Sequence, residues 1–205
     1  MAVKVMVLYY SMFGNTYRMA EAVCSGIEKE KGVPVLRAVP ELVPREIIQG
    51  DARIKKAKEL QKDVPLVKAE ELEEIDGIIV GSPTRYGNMC AQMRNFFDMT
   101  GSQWVKGSLV GKPAGFFCCT GTMHGGQETT LISMMFTLIH HGAVIVGVPY
   151  TIREISETRS GGSPYGASAV VGPDASRPPT DMDLKIAQEL GKRVTVISER
   201  LKNTR

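Results

Sequence analysis

The amino-acid sequence predicts an α/β fold: a parallel sheet with helices on both faces. Three observations carry this reading. Short apolar runs recur with little polar alternation, as strands covered on both faces require. Segments with apolar residues three and four apart separate them, as amphipathic helices do. The loops after the first, third and fourth runs are rich in Gly, Ser, Thr and Asn, and α/β sheets hold ligands at that edge.

In order, Val3 to Tyr9 reads as the first strand, followed by a loop over residues 10–15. Thr16 to Lys31 reads as a helix, with Met19, Val23 and Ile27 on one face and Gly32 ending it. Val33 to Val39 is a second strand. Residues 41–74 are charged, carry Pro44, Gly50 and Pro65, and read as helix fragments and surface loops. Ile75 to Gly81 is a third strand, and Met89 to Thr100 a helix with Met93, Phe96 and Phe97 inward. Lys112 to Cys119 is a fourth strand, Gln127 to His141 a helix, and Ala143 to Val148 a fifth strand. A Gly/Pro/Ser-rich loop spans about 150–179. Thr180 opens the last helix, with Asp183 placed for a capping box and Ile186, Leu190, Val194, Ile197 and Leu201 as its buried stripe. No repeat or clear linker divides the 205 residues, so one domain over 1–205 is expected, with surface segments at 41–74 and 150–179.

Composition excludes several function classes. Net charge is +3, and the basic residues are interleaved with acids. The stretch Arg53 to Glu59 therefore reads as a solvated helix face, and no nucleic-acid partner is expected. No apolar run reaches the length of a membrane span, and the chain enters its first strand without a secretory leader. The four cysteines form no CxxC pair. Cys118 and Cys119, adjacent on a strand, point to opposite faces, so no metal site is expected. Reduced cysteines fit a cytoplasmic protein.

The ligand-edge loops carry the candidate chemistry. Ser11, Gly14, Asn15 and Thr16 lie where a helix starts, and a helix start offers free N–H groups and partial positive charge. They suit a phosphomonoester, or simply cap the helix. Neither GxGxxG nor GxxxxGK[ST] is present. In the second loop Pro83 stiffens the chain, and Thr84, Arg85 and Tyr86 offer a hydroxyl, a cation and a ring. In the third, Thr120 to Gln127 carries Gly121, Gly125 and Gly126. Their exposed N–H groups suit flavin carbonyls and the charge that develops there on reduction.

Ser-Met-Phe-Gly-Asn-Thr at 11–16, Gly-Ser-Pro-Thr-Arg-Tyr-Gly-Asn-Met at 81–89 and Thr-Gly-Thr with Gly-Gly-Gln-Glu at 120–128 resemble the WrbA-type NAD(P)H:quinone oxidoreductases. So do His140-His141-Gly142 and Gly161 to Ala167, and the resemblance covers essentially the whole chain. It implies a flavodoxin-like, doubly wound five-stranded sheet in order 2-1-3-4-5. It also implies one FMN per subunit, a homotetramer, and two-electron reduction of quinones by NADH or NADPH. By the same resemblance, Ser11, Met12, Phe13, Gly14, Asn15 and Thr16 bind the FMN phosphate. Pro83, Thr84, Arg85, Tyr86, Gly87 and Asn88 flank the ring. Thr120, Gly121, Thr122, Gly125 and Gly126 complete the site. Phe13 replaces a tyrosine that contacts the nicotinamide nucleotide, Trp104 lines the substrate side, and His140 lies near the flavin as an acid/base or positioning group. Residues 41–74 match only loosely, and the third loop looks one residue longer than the common form.

The cofactor carries the difficult chemistry. The implied cycle is ping-pong: nicotinamide gives a hydride to flavin N5, the oxidised nucleotide leaves, and a quinone takes two electrons. The rival classes are a flavodoxin-type electron carrier and a regulatory flavin-binding protein. Simple carriers are generally acidic and lack the segments 41–74 and 150–179.

Overall fold

The computed structural model describes residues 2–202; Met1, which heads the leaderless start expected from the sequence, and residues 203–205 lie outside them. The strands are β1 (Lys4–Tyr9), β2 (Val33–Ala38), β3 (Gly77–Pro83), β4 (Pro113–Thr120), β5 (Val144–Ile145) and β6 (Ala167–Val170). Every ladder is parallel, in the order β2-β1-β3-β4-β5, with β6 also paired to β4. The helices are α1 (Asn15–Lys29), α2 (Arg45–Gly50), α3 (Ala52–Leu60), α4 (Ala91–Asp98), α5 (Gly101–Val105), α6 (Gln127–His140), α7 (Arg153–Glu157) and α8 (Asp181–Lys202).

Strand alternation sorts the apolar residues into two cores. Val5, Val7 and Tyr9 of β1 meet Met19, Val23 and Ile27 of α1 and Ile186, Leu190 and Val194 of α8. Met6, Leu8 and Tyr10 turn the other way, to Met93, Phe96 and Phe97 on α4 and Leu131, Met134 and Leu138 on α6. Cys119 joins the first core and Cys118 the second, as neighbours on a strand must. Each large side chain so buried contributes about 1.5–3 kcal/mol. An exposed ion pair such as Arg153–Glu157 is screened by water and adds little, so the two cores set the fold. The α1–α8 contact is close enough that a Cβ on Gly191 would press against the Val23 carbonyl group.

Several boundaries differ from expectation. The fifth strand position is shared. Val144–Ile145 pairs with the start of β4, and Ala167–Val170 with its carboxyl half, from Phe117 to Thr120. The span 150–179 therefore holds α7 and β6 rather than loop alone. Ala-Ser-Ala-Val is too short and too weakly apolar to stand out between glycines, yet all four residues are buried. Gly32 does not supply the left-handed residue after α1; Lys31 does, at φ 58°. Gly32 is needed for room, since a Cβ there would lie 2.7 Å from Thr195 Cγ2 and 2.8 Å from Ile27 Cγ2. The helix expected over 89–100 is shorter, and α5 follows it as a separate turn carrying Trp104. The capping box at α8 forms as read: Thr180 N–H donates to Asp183 Oδ2 (2.9 Å), and Asp183 N–H to Thr180 Oγ1 (3.1 Å).

Candidate functional site

The first loop leaves β1 at the carboxyl edge of the sheet and turns into α1 at Gly14, whose φ of 88° favours glycine. No side chain caps the helix, so its first-turn N–H groups stay available. Ser11 and Thr16 are each 2% exposed, so the loop is set before any ligand arrives. Gly14 N–H donates to Ser11 Oγ (3.1 Å), closing the turn. Asn15 Nδ2 donates to the Ala175 carbonyl (2.8 Å). Beneath the loop, burial pushes the Cys119 thiol up to about 12 despite a hydrogen bond from Thr16. That thiol is inert at neutral pH.

The second and third loops are knitted together at Thr84. Its hydroxyl oxygen accepts from Gly87 N–H (3.2 Å) and from Thr130 Oγ1 on α6 (2.8 Å). The backbones of Gly87 and Gly126 approach so closely that a Cβ on Gly126 would lie 2.8 Å from Gly87 Cα. Arg85 reaches back across the edge to Met12 Sδ (3.7 Å) and to the Thr84 carbonyl (2.8 Å). Tyr86, at φ 52°, holds its ring fully in solvent. Gln127 ties the third loop down, donating to the Met123 carbonyl (2.7 Å) and accepting from Ser168 Oγ on β6 (2.6 Å).

A cleft of about 120 Å³ opens at the first loop. Of the sequence candidates, Met12, Phe13, Asn15, Pro83, Thr84, Arg85, Thr120 and Gly121 line it. Ser11, Gly14 and Thr16 stand behind it at the helix start. Thr122, Gly125, Gly126, Tyr86 and Gly87 do not line the cleft. Its far wall, Val171 to Pro173 with Ala175, was missed, because it belongs to the span read as loop. Gly172-Pro173-Asp174 was the available signal, as a turn signature following a short apolar run. The cleft is below the roughly 300–1,000 Å³ usual for a whole cofactor. Its chemistry fits the anchoring end of FMN: free helix-start amides, a left-handed glycine and buried hydroxyls, with no carboxylate in the lining.

Trp104, His140 and Asn88 lie elsewhere. They line a larger hollow, about 760 Å³, between α4–α5 and α6. Within this chain, then, the structure does not bring Trp104 and His140 to the cleft where the sequence placed them. They sit on the far side of the 84–88 loop, because α6 runs away from the ligand edge and His140 is its last residue. Trp104 Nε1 donates to the His140 carbonyl (2.8 Å), while the residue is 56% exposed. His141 is buried against Phe97, with ring centroids 6.1 Å apart. The Thr100 hydroxyl gives its proton to the Phe97 carbonyl (2.7 Å), so His141 Nε2 donates to Thr100 Oγ1 (3.1 Å). Its Nδ1 is then an unprotonated acceptor, with no hydrogen-bond partner among the described residues. Burial, then the neighbouring His140, lower the His141 pKa.

The sheet order and the loop-built ligand edge define a flavodoxin-like α/β protein. A WrbA-like flavodoxin from Agrobacterium tumefaciens superposes with a TM-score of 0.68 at 23% identity, over 97% of this chain and 99% of that one. An archaeal flavodoxin does so at 0.62 and 25%, with the same coverage. The family model for NADPH-dependent FMN reductase matches residues 3–156, and the chain belongs to that family. It is 48% identical over 201 residues to an NAD(P)H dehydrogenase (quinone) of Aromatoleum aromaticum, covering 97% of each chain. It is 45% identical over 202 residues to one of Solidesulfovibrio magneticus, covering 97% and 98%.

Proposed function

We propose that this protein is an FMN-dependent enzyme that passes two electrons from NADH or NADPH to quinones. The uncapped start of α1, opening on the Phe13–Thr84–Gly121 cleft, carries this reading, together with the quinone dehydrogenase names of relatives matched end to end. The helix-start amides, with the Ser11 and Thr16 hydroxyls, take the phosphate dianion. Thr84 ties the second loop to α6 and to the Gly125 carbonyl of the third, so the ring has fixed walls at Pro83 to Arg85 and at Thr120 and Gly121. When bound, the flavin supplies the two-electron chemistry. Phe13 at the cleft mouth gives a nicotinamide an apolar face to pack on.

The Trp104 hollow belongs to the same reading as a wall for planar substrates, with His140 as a polar group beside it. Met99, Trp104, Val105, Phe136 and Ile139 leave an apolar face exposed around it. Such a face supports a homotetramer in which that wall meets a flavin site of another copy. Among the described residues no helix is long and apolar enough to cross a membrane. The four free cysteines suit a reducing cytoplasm. The whole chain acts as one domain in this account.

Titrating the protein into FMN tests the site. Quenched flavin fluorescence with one FMN per chain is expected; unchanged fluorescence refutes the reading. Saturating FMN without turnover would favour the electron-carrier class.

A further inference from the structure

Helix α3 lies in the segment that matches the family motifs only loosely, and it backs onto the first loop. Ala57 Cβ is 3.6 Å from where a Cβ on Gly14 would stand. One residue on, Lys58 Nζ donates to the Ser11 carbonyl (3.0 Å), so α3 holds the loop at its first residue. The same ammonium is ion-paired to Glu41 (2.6 Å) and stands 4.6 Å above the Tyr10 ring.

Glu41 is itself fixed from several elements. Its carboxylate accepts from Tyr10 Oη (2.9 and 3.0 Å), from Gln92 Nε2 on α4 (3.2 Å), and from its own turn through Leu42 N–H and Val43 N–H (2.9 Å each). Burial opposes ionisation of Glu41, but Lys58, Val43 N–H and Tyr10 outweigh it and hold the carboxyl below its ordinary value. The ammonium is therefore locked in place by an ionised carboxylate. Moving it would break an ion pair, a cation–π contact and the Ser11 bond together.

We propose that Lys58 is a positioning residue for the flavin phosphate. It pins the Ser11 carbonyl, so that the Ser11–Gly14 turn presents its donors to the dianion. This rests on the FMN reading above and adds to it a residue that no loop motif contains. A helix start can bind phosphate through its amides; here a lysine from α3 fixes the loop that leads into them.

The test compares FMN and riboflavin dissociation constants for the full chain and for Lys58→Met, Lys58→Arg and Lys62→Met. Lys62 pairs with Glu59 on the surface and serves as the control. Lys58→Met is expected to weaken FMN about tenfold or more, the scale of a lost charge-assisted hydrogen bond. Riboflavin, which lacks the phosphate, is expected to change less than about threefold, and Lys58→Arg to recover most of the FMN affinity. Unchanged FMN binding in Lys58→Met overturns the proposal. So does an equal loss for riboflavin, or a loss that Lys58→Arg does not restore. If Lys58→Met is unfolded by circular dichroism, Lys58→Gln is read by the same criteria. A wild-type chain that binds no FMN defeats the FMN reading itself; a wild-type chain that binds while Lys58 is indifferent defeats only this inference.

Discussion

The first loop and the Trp104 hollow are opposite kinds of surface. Ser11 and Thr16 are almost wholly buried, and the loop is held by α3, by the Ala175 turn and by its own Ser11–Gly14 bond. Trp104 and Phe136 are more than half exposed, and the hollow they line lies open to solvent between α4–α5 and α6. The loop is preorganised within one chain, and preorganisation is what an anchoring site needs. The hollow presents apolar area and no enclosure, as a surface completed by another molecule does.

Four substitutions probe that contrast, in order of expected effect. Gly14→Val forces a β-branched residue to φ 88°. Strain of about 1–3 kcal/mol predicts a loss of FMN affinity between about fivefold and about 150-fold, read by fluorescence quenching. Unchanged affinity would remove this loop from the site. Trp104→Ala is expected to leave FMN affinity within about twofold while lowering quinone kcat/KM about tenfold, with a smaller assembly in sedimentation. An FMN loss as large as that of Gly14→Val would erase the distinction between the two regions.

His141→Gln tests the inner wall of the hollow through pH. The folded pKa lies below the unfolded value of about 6.5. The stability His141 contributes is complete above that value and is lost as pH falls through the folded pKa. Between pH 7 and pH 5 the Tm of the wild type should therefore drop further than that of His141→Gln. Equal drops would mean that His141 does not titrate in this window. Arg53→Ala removes a cation 5.2 Å from the Phe13 ring centroid and a bond to the Asp174 carbonyl. Being exposed and paired with Asp51, Arg53 should matter least: FMN affinity within about threefold, by the same quenching assay. A larger loss would extend the α3 brace to the cleft mouth.

The legible parts of the sequence were those with local rules. β1 and β3 were visible as apolar runs, α1 and α8 by their stripes, and the Thr180–Asp183 box by its spacing. The three loops showed because glycine and hydroxyl residues cluster where strands end. What was hidden depended on tertiary contact. The charged stretch from Arg53 to Glu59 looked like a solvated face, and Lys55 and Lys56 are indeed exposed. Ile54 and Ala57 are buried, however, and Lys58 turns inward to Ser11 and Glu41, partners 47 and 17 positions away in the chain. Ala167–Val170 was hidden because four small residues show no period of their own. The separation of Trp104 from the cleft could not be read either, since motif order along a chain does not say which side of the 84–88 loop a helix end will occupy.

The central claim is that the loop-built cleft serves a flavin enzyme of quinone reduction. Its most direct test is steady-state oxidation of NADH and of NADPH by the FMN-reconstituted protein with benzoquinone. The account predicts FMN-dependent turnover with at least one nucleotide and parallel-line, ping-pong kinetics. Full FMN occupancy with no turnover from either nucleotide would contradict it.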